Sequence, residues 1–379
     1  VLYLSKMPFW SKTVAAPRWI DTWFTDRTQR TFLRLKPPAE PKTPEGPVGT
    51  QGGLSSPVRL TIDDVGALAA FWTASYGGDD WYMDAQPAWV SAYLKDPSVV
   101  VLGSFDTTGK LVATIVSAPF SGGNTEMSTG AMLHYGAMRV IEGLCIAKSW
   151  RSRGVAGYMI GMMDCWTSAK LPVVHLWARE TATTPFFSTA LRTDTYAMAE
   201  TNKLVGSISC EKMDWLQFSG MWQMSFRSWM MNEGEGKPPA QIVSTKPINR
   251  SNHIDVWITK KRPDLEAELR KVVVVANTRR RSIPGDERIF EVIWCGYLVG
   301  SKLKPNTGTR GFRYVLESIG SGYKDSLLFA SSGYLGGEAR PSWTAPWRYG
   351  KSGVHSWHIY NYMPPVFGSC EIMAIRDEI

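Results

Sequence analysis

The stretch that most constrains the fold is M-R-V-I-E-G-L-C-I (138–146), followed four residues later by Arg151-Ser152-Arg153-Gly154-Val155-Ala156. The first part is apolar enough for a buried strand. The run from Val155 to Trp166, rich in Met and small residues, reads as a helix. A strand that passes through a short turn into a helix N-terminus presents unpaired backbone N–H groups and the positive end of the helix dipole, a concave patch that holds a phosphate without needing particular side chains. Arg151 and Arg153 add charge-assisted contacts to the same anion, Ser152 and Val155 complete the turn, and Gly154 and Ala156 let oxygens approach where a bulky residue would not. The competing interpretation is an exposed basic helix start with no ligand.

The length of 379 residues exceeds what one hydrophobic core usually serves, so two packed lobes are expected. A net charge of +8 favours an anionic ligand or partner, and a nucleotide-like cofactor, nucleic acid or an acidic protein surface all qualify. The densest basic run, Arg279-Arg280-Arg281, lies beside Pro284-Gly285-Asp286 without interleaved aromatics and is expected to be a solvated loop. Five widely spaced cysteines with no C-x-x-C pair indicate neither a disulfide framework nor a zinc site, and no metal is expected. A reducing, intracellular compartment fits, the cytoplasm first, an organelle or a virion next. No apolar stretch reaches the roughly 18 residues needed to cross a bilayer.

Residues 36–57 are too rich in Pro and Gly for a helix or a central strand, so residues 1–57 are expected to be an arm and linker. Thr61–Ser75 and Pro87–Leu94 have helical spacing, and Ser98–Gly103 and Leu111–Ala118 form a hairpin across Asp106-Thr107-Thr108-Gly109. With the strand at Met138–Ile146, the helix after it and a further strand at Val173–Trp177, the first lobe spans 58–205. Alternating helix-like and strand-like runs from Arg262 onward give a second lobe, 206–379.

The segment G-L-C-I-A-K-S-W-R-S-R-G-V-A (143–156) resembles the N-myristoyltransferase family, whose corresponding strand ends in Phe-Leu-Cys-Val and leads through a basic linker to Arg-Ser-Lys-Arg-aliphatic-Ala. Phe9-Trp10 is similar to that family's N-terminal Phe-Trp over the CoA, and Tyr76-Gly77-Gly78-Asp79-Asp80 to its Tyr-x-x-Asp-Asp loop. The segment around Tyr349, Gly350 and Gly353 resembles its peptide groove. The resemblance implies an α/β fold of mixed sheets in two tandem GNAT-like lobes. It also implies transfer of a fatty acyl group from acyl-CoA, myristoyl-CoA in that family, to an N-terminal glycine peptide or protein. On the same resemblance the thioester oxygen is held by the backbone N–H groups of Gly143 and Leu144, donors that carry no charge into an apolar acyl pocket. Taken alone, Gly143 is equally a bulge in a buried strand.

One departure from that pattern bears on chemistry. The family's C-terminal carboxylate acts as its base. Here Arg376-Asp377-Glu378-Ile379 follow the counterpart of the final strand, a displacement of up to roughly 13 Å if extended. Glu142 is the substitute candidate, on the strand just before Gly143 and on one face with Val140, and a salt bridge to Arg139 or Arg151 is its alternative role. His355 and His358 fall on opposite faces of a strand and are expected to be packing residues. The other readings are a catalytically degenerate subunit of a large assembly with protein or RNA partners, and a GNAT acetyltransferase with a short acyl group.

Overall fold

L-V-A-T-I-V-S-A-P (111–119) is apolar at successive rather than alternate positions, and a strand of that kind needs cover on both faces. In the computed structural model it has that cover. The structure describes residues 31–32, 40, 43, 53–120, 122–124, 133–134, 138–169, 173–179, 189–231, 241–244, 246–261, 269–306, 311–335, 346–360, 362–363 and 371–373. These fall into two compact units, one drawn from Val1–Ser121, Tyr135–Leu191 and Trp357–Gly368, the other from Gly122–His134, Arg192–Ser356 and Ser369–Ile379.

The first unit opens with β1 (Val58–Arg59), α1 (Val65–Ser75) and α2 (Pro87–Lys95), followed by the hairpin of β2 (Val100–Phe105) and β3 (Leu111–Pro119). Helix α1 is entered through a 3-10 turn with a capping box, in which Asp64 Oδ2 accepts from the Thr61 amide at 2.7 Å. The hairpin turn is written in Asp106, whose Oδ1 accepts from the Thr108 and Lys110 amides and from the Thr108 hydroxyl, while Gly109 takes φ 79°. The Thr108 hydroxyl above all holds the Asp106 carboxyl below its ordinary range. Next come β4 (Met138–Ile146), α3 (Val155–Thr167) and β5 (Val174–Arg179). The strand order is β1-β2-β3-β4-β5, antiparallel as far as β4 and parallel between β4 and β5. Val155, Tyr158, Met159 and Met163 of α3 pack with Leu102, Val112, Ala113 and Ile115 in one apolar cluster, which Leu54 also joins, so the folded body begins before Val58. Helix α1 meets β3 through Trp72, fully buried.

In the second unit, V-V-V-V (272–275) lies in a long strand, and its alternation sorts the side chains into two cores. The strands are β6 (Thr189–Glu200, from Arg192), β7 (Cys210–Met213), β8 (Ile254–Thr259), β9 (Arg270–Ser282), β10 (Arg288–Val299), β11 (Lys302–Pro305) and β12 (Ser326–Ser331). The order is β7-β8-β9-β10-β12-β6, with β11 on β10. Val272 and Val274 join Phe218, Trp222 and Phe226 of α4 (Trp215–Met231); Val273 and Val275 join Val315, Leu316 and Ile319 of α5 (Arg313–Gly320). A small second sheet pairs Glu371–Met373, Gln241–Ser244, Gly122–Asn124 and Leu133–His134. Strand β13 (Arg348–Tyr360) carries residues of both units.

The expectation of a solvated loop at Arg279–Arg281 is corrected: these residues close β9, with Arg280 opposite Ile289 and Arg281 opposite Arg288. A bulge between Asn277 and Arg280, with Arg279 at φ 58°, replaces ladder bonds by side-chain ones. Asn277 Oδ1 accepts from the Arg279 amide, and Thr278 Oγ1 from the Arg280 amide.

Candidate functional site

Strand β4 pairs with β3 along its length except at one place. Val116 faces Glu142 and Thr114 faces Cys145, so the single residue Ile115 stands against the pair Gly143-Leu144. This is a β-bulge, and Gly143 sits in it at φ 58°, a conformation that glycine adopts without strain. The extra residue shifts the strand's phase. Ile141, Leu144 and Ile146 pack against the α3 cluster, a spacing of three and then two. Of the two readings of Gly143, the bulge is the one seen directly.

The backbone at the bulge is pinned by side chains that the sequence reading missed. Trp72 Nε1 donates to Thr114 Oγ1 at 2.9 Å, and Thr114 Oγ1 donates to the Gly143 carbonyl at 3.1 Å. Trp72 and Thr114 have no exposed surface. A threonine in the middle of an otherwise apolar strand was the available signal.

The pairing of β4 with β5 covers Met138–Val140 against Val174–Leu176, while β4 stays on β3 as far as Ile146. The two parallel strands thus meet at their N-terminal ends and the register stops before the bulge. In α/β sheets the carboxyl ends of diverging strands are where ligands enter.

Beyond Ile146 the chain makes a 3-10 turn, Lys148–Trp150, anchored by the buried Trp150, and then runs through Arg151–Gly154 into α3. Ser152 takes φ 61° and Gly154, the residue capping α3, takes φ 80°. Among the described residues, and apart from its chain neighbours, no atom lies within 4 Å of where a Gly154 side chain would start. Val155 is buried, Ala156 half-buried, and the Tyr158 amide donates to the Gly154 carbonyl at 3.0 Å. The leading amides of α3 lie outside the helix's own hydrogen bonds, at an edge of small residues.

Arg151 has a second task. Its Nε donates to the Ile146 carbonyl at 3.1 Å and its Nη2 to the Ser75 carbonyl at 3.0 Å. Ser75 ends α1, so this guanidinium ties the end of β4 to a helix C-terminus, where a cation is favoured. Arg153 Nε donates to the Ser149 carbonyl at 3.1 Å, within the same loop. From Ser75 the chain enters the Tyr76 turn, closed by the Met83 amide on the Tyr76 carbonyl, the Gly78 amide on the Trp81 carbonyl, and the Tyr76 and Trp81 rings edge to face at 5.9 Å. Asp79 and Asp80 lie exposed at its tip. Arg151 thus joins two segments that the sequence reading had singled out separately.

Glu142 immediately precedes the bulge and is half-buried. Arg139, its suggested partner, donates to Ser117 Oγ at 2.7 Å and to the Ser98 and Ser117 carbonyls, both at 2.8 Å. Cys145, just after the bulge, is buried, and burial pushes its thiol up to about 12 against a smaller opposing pull from Arg151. Tyr349, Gly350 and Gly353 lie in β13. His358, on the same strand, is buried and stacks on Trp177 of β5 at 6.1 Å, a packing role. Phe9, Trp10 and the final residues 374–379 lie outside the described residues. Among the described residues no helix is long and apolar enough to cross a membrane.

No protein-family profile matches the chain, and no curated protein sequence does. Solved structures do match. Saccharomyces cerevisiae N-myristoyltransferase with bound myristoyl-CoA aligns over 90% of this chain and 88% of its own, at 12% identity and a TM-score of 0.53. The same yeast enzyme with myristoyl-CoA and inhibitors aligns over 94% and 89%, at 11% identity and a TM-score of 0.57. At that identity the likeness is one of architecture, and the chain has the two-lobed, mixed α/β fold of N-myristoyltransferase.

Proposed function

We propose that this chain is an N-myristoyltransferase-like acyltransferase, moving a fatty acyl group from acyl-CoA to the amine of an N-terminal glycine. The observation that carries the reading is the bulge at Gly143, which takes a backbone amide out of the β3–β4 ladder beside the place where β4 and β5 part. In the reaction the amine nitrogen bonds to the thioester carbon, the C–S bond breaks, and the proton lost by the amine passes to Glu142 and from there to the departing CoA thiolate. The Gly143 and Leu144 N–H groups hold the oxygen as it gains charge, and preorganised donors of this kind are worth about 2.7–4 kcal/mol each in related acyl chemistry. The turn Arg151–Ala156 holds the CoA pyrophosphate, aided by Phe9 and Trp10. Glu142 receives the amine proton, and Tyr76, Asp79 and Asp80 receive the peptide. The unit that holds the bulge and the turn Arg151–Ala156 is the acyl-CoA lobe. Cys145 is no nucleophile, because its raised thiol pKa leaves it protonated at neutral pH, so transfer is direct.

The test is incubation with myristoyl-CoA and a peptide beginning in glycine, reading acyl-peptide by mass spectrometry and free CoA thiol by colour. Acetyl-CoA in parallel separates a fatty-acyl from an acetyl transferase. Acyl-peptide with stoichiometric CoA release is expected; binding without transfer by the wild-type chain overturns the catalytic reading. That second outcome would favour a degenerate, structural subunit. One observation speaks for it: Arg151 is spent on the Ile146 and Ser75 carbonyls.

A further inference from the structure

The hydrogen-bond chain behind the bulge runs in one direction only. An indole N–H donates and cannot accept, so Thr114 Oγ1 must accept from Trp72. The hydroxyl has a single proton, and with one lone pair occupied by Trp72 that proton goes to the Gly143 carbonyl at 3.1 Å. Trp72 and Thr114 are fully buried, so no water competes for these positions. A peptide unit is planar and trans, so a carbonyl drawn toward Thr114 turns the N–H of Leu144, across the same peptide bond, away from it. Gly143, at φ 58° with one extra residue against Ile115, is where the ladder itself fixes that peptide least.

We propose that Thr114, with Trp72 behind it, is a positioning residue that sets the direction of the Leu144 amide and thereby completes the donor pair for the thioester oxygen. This inference rests on the acyl-transfer reading above. Neither side chain touches substrate; both act through the Gly143–Leu144 peptide. A merely structural role for a satisfied buried threonine would show as lost stability with catalysis intact.

The experiment compares the wild-type chain with Thr114→Val, which keeps the shape and removes the hydroxyl, Thr114→Ser, which restores it, and Trp72→Phe, which removes the indole donor together with part of the ring. Circular dichroism and thermal melting establish which variants are folded. In steady-state transfer from myristoyl-CoA, Thr114→Val should lower kcat by about 10-fold or more, less than the full loss of an oxyanion donor. Its affinity for myristoyl-CoA should stay within about 2-fold and Thr114→Ser should recover most of the rate. Trp72→Phe should fall between. A folded Thr114→Val enzyme with wild-type kcat overturns the proposal, as does a loss confined to KM. If the wild-type chain transfers no acyl group, the functional reading has failed, and the relay is then judged by NMR on labelled protein. The Leu144 amide and Gly143 carbonyl resonances should move in Thr114→Val and return in Thr114→Ser. Unmoved resonances overturn it there too.

Discussion

A Cβ at Gly154 would meet no described atom beyond its chain neighbours within 4 Å, and yet the residue cannot be replaced without cost. Its φ of 80° is unfavourable for any residue with a Cβ, by roughly 1–2 kcal/mol. Gly154→Ala should therefore lower the melting temperature by a few degrees, and since the added methyl meets nothing within 4 Å, the loss should be conformational, visible in a thermal melt without ligand. Cys145 leads to the opposite expectation. Burial holds its thiol at about 12, so the neutral form persists well above physiological pH. In the proposed acyl transfer, Cys145→Ser should leave turnover within a few-fold of wild type, and iodoacetamide at pH 8 should not inactivate the folded protein; rapid loss of activity on alkylation at this residue would refute the burial argument. At this scale the sequence displayed the turn Arg151–Ala156 and the odd glycine at 143. It did not display the job of Arg151, whose partners, Ile146 and Ser75, are carbonyls brought together only by folding.

Among the elements, those with a local cause were legible. The Asp106 hairpin, the capping box before α1 and the strand at Met138–Ile146 each rest on residues within a few positions of one another. The stretch Arg279–Arg281 was not legible, because three cations beside Pro and Gly look like a loop, and only the partner strand β10 and the side-chain bonds of Asn277 and Thr278 make it a strand end. Helix α4 went unread although Asp214 announced it: its Oδ1 accepts from the Leu216 and Gln217 amides at 2.9 and 3.1 Å, an N-cap. That helix is anchored by Trp222, fully buried against Phe218 and Trp294, with its Nε1 donating to the Ser244 carbonyl at 2.7 Å. Trp222→Ala should cost about 3–5 kcal/mol, plus whatever the orphaned carbonyl adds. Denaturant unfolding should show a loss of unfolding free energy of that size. A change under about 1 kcal/mol would mean that α4 is not held as described.

For the whole molecule, acid is the condition to examine first. His253 is buried beside Ser251, whose hydroxyl meets its Nδ1, and its amide donates to Asn249 Oδ1. Burial, with a smaller contribution from the Arg279 charge, lowers its pKa from 6.5 to about 3. Between those two values the unfolded chain takes up a proton that the native state refuses, so stability is full above about pH 6.5 and declines as pH falls toward 3. Thermal melts across pH 7.5 to 4.5 should show that decline, and His253→Gln should flatten it; equal slopes in both proteins would remove His253 as the cause.

The interleaving of the two units also has a consequence for biosynthesis. Trp357–Tyr360 belongs to the unit that holds α1, β4 and α3, and His358 there is buried against Trp177. On a ribosome the turn Arg151–Ala156 emerges some two hundred residues before the segment that closes its own unit. A nascent chain must therefore carry β5, with Trp177 uncovered, through synthesis of almost the entire second unit, and a chaperone that shields an apolar strand edge would be engaged over that interval.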